Sequence, residues 1–186
     1  PGTIGKAVPG FQVRVVNENF EDTKPGEIGQ MIVKGPNGCR YLDDEERQKK
    51  YVREGWNLSG DLCIRDEDGY FLYEARTDDM ILTGGYNVSG LEVEAVLLEH
   101  EYVREVAVVG SPDKNRGEIV KAFIELKDKK LASNNLVTEL QNFVKSQISA
   151  FKYPRSIEFV DGLPHTATGK IQRGALRKQE LEKSQK

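Results

Sequence analysis

Hydrophobic and polar positions change rhythm once along this chain, near residue 79. Before that point apolar residues tend to alternate with polar ones. Phe11-Gln12-Val13-Arg14-Val15-Val16 nearly alternates, and so does Gly29-Gln30-Met31-Ile32-Val33-Lys34. A period of two marks a strand with one buried face. Lys24-Pro25-Gly26-Glu27 and Gly35-Pro36-Asn37-Gly38 read as the turns between such strands. Asp66-Glu67-Asp68-Gly69 reads as a hairpin turn joining Leu62-Cys63-Ile64 to Tyr70-Phe71-Leu72-Tyr73. One helical piece interrupts, from Asp43 to Tyr51, with Asp43 or Asp44 as its N-cap. Residues 1–78 are therefore expected to form a small β-barrel-like subdomain.

Beyond residue 79 strands and helices alternate. Ser89-Gly90-Leu91-Glu92 has the S-x-x-E form of a capping box. The helix it opens is expected to carry Val93, Val96 and Leu97 on one face and to run to about His100. Val103 to Val109 reads as a strand, with Val106–Val109 apolar enough to be central. Ser111-Pro112-Asp113 is expected to turn the chain into a second strand, Ile119 to Leu126. Leu136, Leu140, Phe143, Val144 and Ile148 fall at helical spacing, as core positions. Ile157 to Val160 reads as a short strand. A last helix from about Gln172 is expected to turn Leu176 and Leu181 inward, with its Lys and Arg residues as a solvated face. There are no internal repeats. The expected fold class is α+β, the subdomain above followed by a compact α+β unit, residues 79–186, with a mainly antiparallel sheet.

Composition changes this picture little. The chain has 186 residues, 31% charged and 38% hydrophobic, with a net charge of -3. That balance gives no electrostatic support to a nucleic-acid partner. No run approaches the ~20 apolar residues of a membrane span. Pro1-Gly2-Thr3 carries no signal peptide and no initiator methionine, so the chain reads as a piece of a longer protein. Cys39 and Cys63 lack metal-ligand spacing, and nothing supports pairing them with one another. With only His100 and His165 besides, no metal site is expected. A reduced, cytoplasmic setting is the default.

Three short segments suggest chemistry. In Leu163-Pro164-His165-Thr166-Ala167-Thr168-Gly169-Lys170, threonine and glycine leave the backbone free to move. Lys170 offers a compact charge on a flexible stem, suited to a phosphate or carboxylate. A P-loop is excluded, because Ile171 follows the lysine and no glycine stands at the required distance. In Gly55-Trp56-Asn57-Leu58-Ser59-Gly60-Asp61, a carboxylate follows a Ser-Gly pair, and a carboxylate can accept two hydrogen bonds from a vicinal diol. In Ala75-Arg76-Thr77-Asp78-Asp79, two acids follow an arginine, and a double glycine, Gly84-Gly85-Tyr86, comes soon after. Taken singly these read as a surface turn, a turn-capping aspartate, and a polar linker with a hairpin.

In this order the three segments resemble the C-terminal part of the adenylate-forming superfamily. It includes acyl-CoA synthetases, luciferases and peptide-synthetase adenylation domains. The pattern there is G-W-x-x-T-G-D, G-R-x-D-D, G-x-x-x-x-x-E-V-E and L-P-x-T-x-T-G-K. This chain follows its order from end to end, with Ser59 for the threonine, Ala75 for a glycine and six residues in place of five between Gly85 and Glu92. Gly35-Pro36-Asn37-Gly38-Cys39-Arg40-Tyr41-Leu42, Trp56-Asn57-Leu58 and Ala75, where the wider family has glycine, are most similar to 2-aminobenzoate-CoA and benzoate-CoA ligases. Leu82 stands where some relatives carry a lysine used in the second half-reaction, so that role is not carried over.

The resemblance implies two steps. A carboxylic acid attacks the α-phosphate of ATP, supplied with Mg2+, and the acyl adenylate then passes to the thiol of coenzyme A. Lys170 matches the catalytic lysine of the first step. Asp61 and Arg76 match the nucleotide-binding pair at the ribose. Asp78 matches the hinge about which a lid domain, residues 79–186, rotates between steps. Gly84, Gly85 and Tyr86 match the channel for the pantetheine arm. Glu92 and Glu94 are read as structural. The family's phosphate loop and acyl pocket have no counterpart here. A large N-terminal domain is therefore the expected partner, with residues 1–78 as the end of it. The piece alone is expected to be inactive and to hold no tightly bound cofactor. The alternatives are a medium-chain fatty acyl-CoA synthetase, a peptide-synthetase adenylation domain, and a non-enzymatic nucleotide- or partner-binding module.

Overall fold

The computed structural model describes residues 2–185 apart from 37 and 39. Cys39 and the Asn37 position of the second turn lie outside the described residues. The chain divides into two compact units, the first ending at Asp78 and the second beginning at Asp79.

The first unit is a five-stranded antiparallel sheet that curls as a half-barrel. Its elements are β1 (Gln12–Val16), β2 (Ile28–Lys34), α1 (Glu45–Tyr51), β3 (Val52–Arg53), β4 (Trp56–Arg65) and β5 (Phe71–Arg76). The order runs β1-β2-β4, and β3 and β5 both pair with β4. β4 starts six residues before the Leu62 of the expected strand, so the Ser59-Gly60-Asp61 segment lies inside it. Val15, Cys63 and Phe71 form the core, with Val13 and Met31 against them. Burial pushes the Cys63 thiol up to about 11, helped by Asp61 and Glu74, so it stays a thiol at neutral pH. Asp44 takes the N-cap position before α1, whereas Asp43 has a left-handed φ of 53°.

The second unit comprises β6 (Met80–Thr83), β7 (Tyr86–Ser89), α2 (Gly90–Leu98), β8 (Val103–Asp113), β9 (Gly117–Leu126), α3 (Asn134–Gln147), β10 (Ser156–Phe159) and α4 (Arg173–Ser184). All pairings are antiparallel except that of β10 with β9. Val106 and Val108 of β8 pack into one core with Val93, Leu97, Leu136, Leu140 and Val144 of α2 and α3. The alternate residues, Ala107 and Val109, join Phe123, Leu163 and Leu176 on the α4 side. The central hairpin is thus buried on both faces, which explains its unbroken apolar run. Each such side chain contributes about 1.5–3 kcal/mol.

Ser89 caps α2 by accepting from the Glu92 amide at 3.4 Å. The Glu92 carboxylate is drawn instead to Lys152 Nζ, 2.7 Å from both oxygens. Among the described residues, no helix is long and apolar enough to cross a membrane.

Three expectations need correction. Ser111-Pro112-Asp113 does not turn the chain; it continues β8, paired with Gly117–Ile119. Asp113 accepts from the amides of Asn115 and Arg116, both at 3.0 Å, which moves the turn past it. In α4, Leu181 is 51% exposed and Glu180 is the inward residue at 5%. A step of four from Leu176 keeps the same helix face and a step of five leaves it. Nor are the cations of α4 wholly a solvated face, although Lys178 is exposed. Arg173 pairs with Glu94, Arg177 with Asp79, and Lys183 with Glu158 and Glu180.

Glu180 faces a buried cation, Lys121 Nζ at 2.9 Å, and accepts from Ser111 Oγ at 2.8 Å. Burial by itself would raise its pKa. The hydrogen bonds from Lys121, Lys183 and Ser111 outweigh burial and hold the pKa at about 2, below the ordinary 4.5. A depressed folded-state pKa stabilises fully above the unfolded value and is lost as pH falls through the folded one. Its contribution is roughly 2–3 kcal/mol. Denaturant unfolding should therefore show stability falling between pH 4.5 and about 2, and Glu180→Gln should flatten that fall. An unchanged acid limb in Glu180→Gln would refute the assignment.

Candidate functional site

The expected site residues fall in two groups, one in each unit. In the first unit a bulge in β4 is locked by an arginine from β5. Gly60 has a φ of 76°, a conformation that suits glycine. Arg76 Nη1 donates to Ser59 O at 2.9 Å and to Asp61 Oδ1 at 3.0 Å. Its Nε lies 3.5 Å from Asp78 Oδ1. A Cβ on Gly60 would stand 2.7 Å from Arg76 Nη2, so the missing side chain is what lets the guanidinium lie across the bulge. Ser59 Oγ accepts from the Asp61 amide at 3.1 Å and donates to Met31 O at 2.9 Å. Thr77 N donates to Gly60 O at 2.8 Å. Burial opposes the charge on Arg76, and the hydrogen bond and field of Asp61, with Asp78, overcome it and raise its pKa. Asp61 keeps 24% of its side chain exposed. The arrangement presents a fixed carboxylate acceptor beside a fixed cationic donor, a pair suited to a hydroxyl-rich, anionic ligand.

In the second unit Lys170 sits on the connection between β10 and α4. That connection closes on itself and is not the loose loop its composition suggests. Thr166 N donates to Lys170 O at 2.8 Å, and Gly169 N to Thr166 O at 2.9 Å. Lys170 N donates to Thr166 Oγ1 at 3.0 Å. Gly169 supplies the left-handed corner at a φ of 81°. His165 bridges to Ile171 across the base, and Gln172 Nε2 donates to His165 O at 3.0 Å. The Lys170 side chain is exposed and makes no ion pair among the described residues. The backbone is thus fixed while the ammonium stays available.

Gly84 and Gly85 join β6 to β7 in a two-residue hairpin, with φ of 56° and 84°. Positive φ at both places is the type I′ requirement, and glycine meets it without strain. Tyr86 stacks on Phe151, ring centroids 4.6 Å apart. Glu94 of α2 is no acid for catalysis: its carboxylate accepts from Val108 N at 2.8 Å and from Arg173 Nε at 2.8 Å.

Arg76 therefore joins Asp61 and Asp78 within one unit. Lys170 and Gly84–Tyr86 occupy separate loops of the other. Two contributors went unnoticed in the sequence. His165 Nε2 meets Glu105 Oε1 at 2.9 Å, tying the Lys170 loop to β8. Phe151 covers Tyr86. Both contacts join residues 60 or more positions apart, and only the position of His165 inside the Lys170 motif hinted at a role. Among the described residues no group of three or more His, Cys, Asp or Glu side chains could hold a metal.

Residues 92–170 match the AMP-binding enzyme C-terminal domain. The chain is 46% identical over 183 residues to an uncharacterized acyl-CoA ligase of Bacillus subtilis, covering 97% of this chain and 35% of that one. It is 42% identical to the mitochondrial acyl-coenzyme A synthetase ACSM3 of Mus musculus, covering 97% and 32%. Among solved structures it is similar to the anthranilate CoA ligase AuaEII in complex with anthranoyl-AMP. The TM-score is 0.83 with 38% identity, covering 97% of this chain and 35% of that one. The chain thus spans about a third of the length of the curated relatives it matches.

Two measurements test this geometry. Gly60→Ala should displace the Arg76 guanidinium and cost about 1–2 kcal/mol for a left-handed alanine. A crystal structure with Arg76 unmoved, or an unchanged melting temperature, would contradict the clamp. His165 should titrate above its ordinary 6.5, because the Glu105 hydrogen bond raises it against a smaller effect of burial, with Glu125 adding to it. A raised pKa means the tie is complete below the unfolded value and is lost as pH rises through the folded one. NMR titration should show this midpoint, and Glu105→Gln should lower it. A wild-type midpoint at or below 6.5 would count against the tie.

Proposed function

This chain carries the C-terminal domain of the AMP-forming acyl-CoA ligase family, and we propose that it forms part of an enzyme that activates an aromatic carboxylic acid. Acid and ATP give an acyl adenylate and pyrophosphate, and the thiol of coenzyme A then displaces AMP. The observation that carries this reading is the Arg76 clamp on Ser59-Gly60-Asp61. It fixes a partly exposed carboxylate where two ribose hydroxyls can donate to it, beside a permanent cation for the phosphate side. Support for an aromatic acid is the 38% identity with the anthranilate CoA ligase AuaEII. The 44% identity with a 4-hydroxybutyrate-CoA ligase of Metallosphaera sedula favours a second reading, an aliphatic acid.

Each residue takes a role set by its chemistry. The first step brings two anions together. Lys170, exposed on a fixed backbone, supplies the cation between the acyl carboxylate and the α-phosphate. The second step needs that space for a thiol. Asp78, the last residue of the first unit, serves as the hinge that takes the Lys170 loop away, as lids do between steps. The Gly84-Gly85-Tyr86 hairpin then admits the pantetheine arm, because glycine permits close backbone approach. A large N-terminal domain supplies the phosphate loop and acyl pocket, and the chain alone is inactive.

The test separates the half-reactions in the full-length protein. Lys170→Ala should slow acid-dependent adenylation by about 10²-fold or more, as when a preorganised charge is removed from a transition state. Thioester formation from a supplied acyl adenylate should survive. Equal loss of both steps would remove the assigned role. A panel of benzoates and fatty acids decides between the aromatic and aliphatic readings.

A further inference from the structure

The Gly84-Gly85 hairpin is weakly tied to its sheet. Thr83↔Gly117 is the sole ladder position pairing β6 with β9 among the described residues. Gly84 N adds a hydrogen bond to Arg116 O at 3.1 Å. Thr83 adds no polar tie, since its buried hydroxyl has no partner among the described residues. One step back along β6, where a ladder would continue, a side chain takes the place of the partner strand. The Leu82 amide donates to Glu118 Oε2 at 3.2 Å.

The position of that carboxylate is set by a third strand. Gly110 of β8 faces it, and a Cβ built on Gly110 would lie 2.6 Å from the Glu118 carboxyl carbon and from both its oxygens. Gly110 has no left-handed φ to explain a glycine there. Its missing side chain is the room that Glu118 uses. A connected series results, from the gap at Gly110 through the Glu118 carboxylate and the Leu82 amide to the two-glycine turn.

We propose that Glu118 is a positioning residue for the Gly84-Gly85 hairpin and, through it, for the coenzyme A half-reaction. The second clause rests on the role assigned to the hairpin above. Glu118 touches no substrate in this account. It replaces a missing strand partner and holds β6 in register with the rest of the sheet. Losing it costs the fold little, because the Leu82 position is more than half exposed and water can reach its amide. What it costs is the order of the hairpin.

Three variants of the full-length protein separate this from a general structural effect. Glu118→Ala removes the acceptor. Glu118→Gln keeps an acceptor oxygen of the same reach and removes the charge. Gly110→Ala leaves Glu118 in place chemically but fills its space, and the group that must move is the flexible end of a side chain. Hydrogen exchange across the β6–β7 hairpin should speed up by about tenfold in Glu118→Ala and in Gly110→Ala and stay near wild type in Glu118→Gln. In the same two variants the KM for coenzyme A should rise and thioester formation slow by about tenfold, with acid-dependent pyrophosphate exchange unchanged. Unaltered hydrogen exchange in Gly110→Ala, or equal slowing of both half-reactions, would overturn the proposal. A wild-type protein that forms no acyl adenylate would instead overturn the ligase reading. Hydrogen exchange would then decide the positioning role of Glu118 by itself.

Discussion

The second unit depends on pairing buried carboxylates with cations across the gap between α4 and the sheet. α4 has little apolar surface to offer: only Leu176 and Glu180 are buried along it. Glu94, Glu180 and Lys121 are each less than 8% exposed. A charge so far from water must be met by an opposite charge and by hydrogen bonds, or it would unfold the site that holds it. Here each one is met. Arg173 and the Val108 amide satisfy Glu94. Lys121, Lys183 and Ser111 satisfy Glu180. Such pairs add less net stability than apolar contacts of equal size, but they tolerate no slip along the helix. The Lys170 connection is strung between β10 and α4, so a helix fixed in register fixes the base of that loop.

The first unit uses the same physics at its surface. Arg76 satisfies a carbonyl and a carboxylate that a bulge in β4 turns outward. The bulge exists because Gly60 adopts a conformation closed to most residues, and the guanidinium fits because Gly60 has no side chain. A nucleotide would then meet donors and acceptors already ordered, which lowers the entropy lost on binding. A charged side chain on a fixed backbone is common to both candidate groups, and an ordered backbone is a starting point for catalysis by positioning.

Period-two alternation placed β1 and β2, and a continuous apolar run placed the β8 and β9 strands, because burial on one face gives the first pattern and burial on both gives the second. Ser89 announced α2 through local cap chemistry. The failures share one cause. Leu181 was assigned inward for its hydrophobicity, although the step from Leu176 puts Glu180 on that face. Lys121, inside the apolar run Val120–Leu126, was the warning that a carboxylate must reach the core. Its partner lies 59 residues away, beyond any local pattern. Pro112 looked like a turn, and the Asp113 carboxylate moved the turn onward. In the candidate site, Lys170, Asp61 and Arg76 were proposed because they stand in ordered motifs. The contacts that hold them, from Glu105 and Ser59 O, come from tertiary packing.

The central claim is that this chain belongs to an enzyme that activates a carboxylic acid as its adenylate. Pyrophosphate exchange in the full-length protein, with coenzyme A left out, reads that step alone. The account predicts that labelled pyrophosphate enters ATP only when a suitable carboxylic acid is present. Exchange that is indifferent to the acid, or none with any acid of a broad aromatic and aliphatic panel, would contradict it.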